Sequence, residues 1–465
     1  MNRKIPLNEL LETSTGASLL FLGREALFTH EEIARFLKPY GISLVTEQQE
    51  GVVASIEHSR LNPIEEEISN RLYEQGIPSY TLESLEILLS QNINDDALLM
   101  ALKLSNNQAR IFRLLANPHL SETLFLKLLM MYAWHEEEED DRDDRDVIMY
   151  TLRRYIQIGL NEEDLLYSYI TLHRLAIEAR HPQLLLALMG FPNYSFVVRG
   201  SQRVTLQETV ASNAYIDEAV IQKLWAKNEP AVQRALAANP AVKLPLLYTL
   251  LEQNAEPIDE ALATHPTLDA SLFKALLQRS DKTVQLLLLT QTITQERFEY
   301  IEDASLSVGL FATLGANETL SPELEHRLVQ LEEPSLFAHL AQNPSVSEKI
   351  LVMLHAKKSY HEALATNPSA PSEMLEALYV ETPSQALYQA LAANPNTPSQ
   401  ILTELFERGD LHIHQGLASN GSIPLEILER LKIDTRLQTQ LAKNPIMKQW
   451  YQSVLDYDKN AGQLS

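Results

Sequence analysis

Cysteine is absent from the 465-residue chain. Disulfides, zinc–thiolate centres, iron–sulfur clusters and thiol nucleophiles are therefore excluded. Glycine is scarce, with 14 residues in the whole chain, and the apolar residues are mostly Leu, Ile and Ala. That balance favours helices over a turn-rich β fold. No run approaches the ~18 apolar residues of a membrane span. The basic start Met1-Asn2-Arg3-Lys4 leads into no apolar core, so no signal peptide is expected and the cytoplasm is the default compartment. Positive charge is also short, and the formal net charge is −24. Phosphate contacts dominate nucleic-acid affinity, so nucleic acid is not the expected partner. GxGxxG, Walker and GxSxG motifs are missing, and no catalytic residue, cofactor or metal is expected.

What is present is the make-up of a folded protein, 45% hydrophobic and 22% charged, in a chain too long for one ordinary core. The organising stretch is Leu391-Ala392-Ala393-Asn394-Pro395. Close copies end at Asn239, Asn343, Asn367 and Asn444, each followed by Pro. Looser ones centre on Asn213, His265, Asn317 and Asn420, with Gln291 as a degenerate member. From Asn213 onward the anchors step by 24–27 residues, mostly 26, and Asn92 and Asn117 carry similar surroundings 25 apart. Such a period marks a repeat array.

Apolar residues recur seven and eleven positions after each anchor, as Ile401 and Leu405 follow Asn394. They also stand seven and three positions before it, as Leu387 and Leu391 do. Four-residue spacing puts each pair on one helical face. Each repeat therefore reads as two short helices joined at Asn-Pro. Proline drives the preceding Asn out of helical geometry, and the Asn side chain can bond the turn. Ser121, Asp217, Asp269, Ser321 and Ser347 are expected to cap the second helices, with Thr397-Pro398-Ser399-Gln400 as a capping box.

The signature Leu391-Ala392-Ala393-Asn394-Pro395-Asn396-Thr397-Pro398 resembles the variant leucine-rich repeat family. The resemblance implies a right-handed α-solenoid of alternating α and 3₁₀ or short α helices. The step of 26 exceeds that family's shorter repeat, so fuller, HEAT-like pairs are expected. The iron–sulfur domain of the founding type has no cysteine to hold it here.

Ahead of the repeats the order is β-α-β-β-α-β-α. Ala17–Leu22 is an apolar strand, Thr29-His30-Glu31-Glu32 opens a helix as a capping box, and Gly41 ends it. Ile42–Val45 and Val52–Ile56 are strands, a helix runs from Pro63 to Gly76, Ile77–Tyr80 is a strand, and Thr81–Leu89 is a helix. Leu22-Gly23, Thr29–Ile33 and Leu72-Tyr73-Glu74-Gln75-Gly76-Ile77-Pro78 resemble a BRCT domain. Phosphopeptide-reading members carry Ser or Thr where Leu22 stands and a Lys within the stretch that is Glu65-Glu66-Glu67 here. The family's last-helix tryptophan gives way to Leu85. The resemblance thus implies the fold without the phosphate pocket.

The expected architecture is mainly α: a loose arm (1–16), a BRCT-like α/β domain (17–89), divergent helical repeats (87–205) with an acidic insertion (134–146), regular repeats (206–446), and a capping helix with tail (447–465). Arg180-His181-Pro182 reads as a worn anchor and Phe191–Arg203 as a loop. The run Glu136–Asp146 lacks calcium-loop spacing and reads as a solvated insertion. His412 and His414, and His355 and His361, lack carboxylate partners at ligand spacing. Trp225 and Trp450 are candidates for contact. The expected function is a non-enzymatic scaffold for a protein partner. A role in DNA repair or replication is the alternative, and an enzyme with an inter-domain pocket a third.

Overall fold

The computed structural model describes residues 5–25, 27–93, 95–135, 141–156, 168–198 and 202–449. The chain is mainly helical, with a small N-terminal α/β region, and divides into two compact units, residues 1–241 and 242–465.

In the first unit, β1 (Ser18–Leu22) is buried at every position, as a strand covered on both faces must be. It sits inside a four-stranded parallel sheet with β2 (Ser43–Val45), β3 (Val52–Glu57) and β4 (Ser79–Thr81), in the order β2-β1-β3-β4. Helix α1 (Leu7–Thr13) precedes the sheet, α2 (His30–Leu37) and α3 (Pro63–Glu74) connect its strands, and α4 (Leu82–Asn92) follows. The loose arm expected over 1–16 is corrected over its described part. Leu7, Leu10 and Leu11 form a helical stripe that buries against the domain, and Tyr80 donates its hydroxyl proton to Ile5 O at 2.6 Å. Thr29 and Glu32 make the expected capping box, and Asn62 with Glu65 makes a second one ahead of Pro63.

Helices α5 (Asp95–Ser105), α6 (Gln108–Leu115), α7 (Glu122–Met131), α8 (Arg142–Tyr155), α9 (Ser168–Glu178) and α10 (Pro182–Leu188) come next. Arg110 of α6 ties them to the α/β region: its guanidinium pairs with Glu32 and donates to Leu27 O, with both charged side chains almost buried. Residues 141–146 are not a free insertion. Asp141 caps α8, and Asp144, in its first turn, is buried. Residues 136–140 of the acidic run lie outside the described residues. The loop expected over Phe191–Arg203 holds the strand Ser195–Val197 (β5), which pairs antiparallel with β6 (Arg203–Thr205). Phe191 and Phe196 are buried there, and the two short strands pair where a loop was expected. Helices α11 (Leu206–Ala211), α12 (Glu218–Trp225) and α13 (Pro230–Ala238) complete the unit.

The second unit repeats one helix pair. A first helix such as Gln385–Ala393 ends at its anchor, and a second such as Ser399–Glu407 starts a few residues on. The positions picked by period are core: Leu387, Leu391 and Leu405 are fully buried and Ile401 nearly so. Leu246 is an exception, half-buried beside a buried Leu247. Asp217, Asp269, Ser121 and Ser321 accept the expected cap bonds. Two capping expectations are corrected. Ser347 turns its hydroxyl to Glu325. Thr397 donates to Leu391 O, and Pro398 precedes the helix without a side-chain cap.

Candidate functional site

The anchors are the most regular polar feature of the chain. Asn394 is 2% exposed, with extended backbone at φ −78° and ψ 124°. That geometry aims the side chain along the array. Its Oδ1 accepts from Asn396 N at 2.9 Å, closing the local turn. Its Nδ2 donates backward to Asn367 O at 2.7 Å and Ala365 O at 2.8 Å. Both Nδ2 hydrogens and one Oδ1 lone pair are used, so no polar atom of the buried amide is left without a partner.

The same three bonds recur. Asn239 reaches back to Ala211 and Asn213, Asn343 to Gly315 and Asn317, and Asn367 to Ala341 and Asn343. Asn420 reaches Ala392 and Asn394, and Asn444 reaches Ala418 and Asn420. Asn317 bonds Gln291 O and Leu288 O. Gln291 uses its longer side chain to donate to Ala263 O and His265 O. His265 is fully buried, and its Nδ1 accepts from Thr267 N at 3.2 Å. Each of these Asn and Gln anchors thus grips the carbonyl of the previous anchor and, as a rule, that of the small residue two places before it. Smallness has a reason: at Gly315 a Cβ would stand 2.8 Å from Leu336 O.

The ladder changes in the first unit. Asn213 donates to Ala176, Ile177 and Ala179, so Ala179, not His181, holds the worn anchor's place. Asn117 bonds the Ser90 hydroxyl at 2.7 Å. Asn92 is corrected as an anchor. It is an exposed last residue of α4 and bonds Leu88 O within its own helix, while Ser90, two residues earlier, is buried and takes Asn117's bond. The sequence spacing of Asn92 hid this offset.

Beyond the ladder, the second helices expose charge over aromatic rings. Arg297 lies 4.8 Å above Phe273, Arg327 4.8 Å above Phe298 and Arg430 4.2 Å above Phe406, each bridging adjacent repeats. Glu296, Glu323, Glu348, Glu373 and Glu426 are exposed in the first turns of five of these helices, where the helix dipole favours them. Trp225 is half-buried, and Trp450 lies outside the described residues.

Two clusters among the described residues bring ligand-type atoms together: His355 with His361 and Glu381, and His135 with Asp141 and Asp144. Both are occupied by protein contacts. His361 Nε2 donates to His355 O at 2.8 Å, and its Nδ1 takes the Thr382 hydroxyl at 2.6 Å. Asp144 accepts from the Tyr132 hydroxyl, His135 N and the His135 ring. The hydrogen bond that the His135 ring donates to Asp144 raises the His135 pKa. His412 is exposed, whereas His414 stacks on Phe406 and donates to Phe406 O. These arrangements engage both ring nitrogens of His361 and three acceptor sites of Asp144. Among the described residues no helix is long and apolar enough to cross a membrane. Comparison with protein-family models, with curated proteins and with solved structures found no match.

Proposed function

We propose that the protein is a non-enzymatic scaffold. In this reading residues 206–446 form a variant-leucine-rich-repeat-like α-solenoid, residues 17–89 a BRCT-like domain, and a basic protein segment docks along the second helices. The unbroken chain of anchor bonds from Gln291 to Asn444 is the observation that carries it. Identical internal joints free the exposed positions to vary, which is how repeat arrays present an extended binding surface without chemistry. The parallel sheet order β2-β1-β3-β4 and the element order around it support the BRCT-like part.

The glutamate row and the net charge of −24 favour a Lys- or Arg-rich partner and association that weakens with salt. Several arginines are already committed, Arg110 to Glu32, Arg279 to Asp259 and Arg327 to Glu302, which argues against a phosphate-gripping face. The test is retention of a partner by the immobilised full chain and by a Glu323→Lys/Glu348→Lys/Glu373→Lys variant. Retention lost in the variant and in added salt supports the reading. Retention unchanged in the variant, or salt-sensitive binding of duplex DNA to the wild type, overturns it.

A further inference from the structure

Among the described residues the ladder is interrupted beside a cavity. Helices α8 and α9 end at Ile156 and Ala179, whose N–H groups bond Leu152 O and Leu175 O. Neither side chain carries a donor. Among the described residues no amide is sent back to the α6 turn, and Leu115 O and Asn117 O receive no hydrogen bond. At the anchors from Gln291 to Asn420 the matching carbonyl is taken. Residues 115–118 instead wall a cavity of about 800 Å³, within the ~300–1,000 Å³ range of small-molecule sites.

The opposite wall is chemically unlike the rest of this acidic chain. Arg153 and Arg154, successive residues at the end of α8, line it together with His181, and Glu122 is the one carboxylate among the described lining residues. Arg154 is fixed by a bond to Leu120 O and lies 4.8 Å above the Phe125 ring. Arg153 is exposed and makes no ion pair or hydrogen bond among the described residues. Two phenols complete the lining. Tyr150 packs edge-on to Phe112, and the Tyr155 hydroxyl is shut from solvent beside Glu122 and Arg154. Burial, and next the charge of Glu122, push the Tyr155 pKa up, so the phenol stays protonated.

We propose that this cavity binds a mononucleotide. A guanidinium pair with one member uncommitted suits a phosphate monoester. Tyr150 offers a flat surface for a base. The carbonyls of Leu115 and Asn117 are acceptors for an exocyclic amino group, and Glu122 for a ribose hydroxyl. Ladder donors that fill this place elsewhere are amides, and a base amino group would supply the same kind of donor.

Calorimetric titration of the full chain with AMP, GMP, CMP and UMP tests it, with adenosine and ribose 5-phosphate as the halves of the ligand. At least one nucleotide is expected to bind with one site and micromolar affinity, and each half much more weakly. Arg153→Ala, an exposed change that leaves folding intact, is expected to weaken binding about tenfold or more by loss of a charge-assisted bond. Tyr150→Leu should weaken the nucleotide but not ribose 5-phosphate. No heat from any nucleotide at millimolar concentration overturns the proposal. So does a half-ligand that binds as tightly as the whole, or affinity unchanged in both variants.

Discussion

Replacing Asn394 by alanine removes three bonds of 2.7–2.9 Å at a site that is 2% exposed. The carbonyls of Ala365 and Asn367 and the amide of Asn396 lose their partners where water has no ready access. A buried group left unpaired costs about 1–3 kcal/mol, and with partial relaxation the three together should cost about 3–5 kcal/mol. Repeats contact their neighbours above all, so the loss should appear as an early, separate unfolding phase rather than a shift of one transition. Urea denaturation followed by far-UV circular dichroism reads this directly. Asn394→Asp sharpens the test. One carboxylate oxygen can still accept from Asn396 N, but the other meets two carbonyl oxygens, which raises the carboxyl pKa in the folded state. With a raised folded pKa, stability is fully present below the unfolded value of about 3.9 and is lost as pH rises through the folded one. The Asp variant should therefore approach wild type near pH 4 and be worst at pH 7. An Ala variant within about 0.5 kcal/mol of wild type, the usual range for surface changes, would refute the reasoning.

Two glycines should respond oppositely to alanine. At Gly416 a Cβ would lie 2.9 Å from Gln389 O, so Gly416→Ala should destabilise by about 1–3 kcal/mol through overpacking. Gly309 is helical with nothing within 4 Å, so Gly309→Ala should stabilise by about 0.5–1 kcal/mol, both read from denaturant midpoints. Arg110→Ala leaves Glu32 buried and unpaired and should cost about 3–5 kcal/mol, with faster proteolysis of the α/β region as a second readout.

The repeat was legible because its spacing repeats: Leu387, Leu391, Ile401 and Leu405 lie where period alone put them. The local turn role of Asn394 was also visible, since Oδ1 serves its own turn. The backward grip of Nδ2 was not, because its acceptors are backbone carbonyls 27 and 29 residues away and carry no side-chain signature. Caps failed where a tertiary competitor existed. Ser347 had the right residue type, but the buried Glu325 carboxylate claims its hydroxyl. Asn92 misled because Asn is common at helix ends, while a serine two residues earlier does the work. The cavity beside Asn117 lay hidden for a related reason: among the described residues no amide anchor stands opposite it, and Ile156 and Ala179 look like ordinary apolar residues.

Hydrogen–deuterium exchange on wild type and Asn394→Ala tests the ladder most directly, peptide by peptide. Faster exchange is expected in peptides spanning residues 361–407, with the α/β region over 17–89 unchanged. Exchange that is unaltered in 361–407, or accelerated equally throughout the chain, would contradict the claim that each anchor fastens its own repeat to the one before.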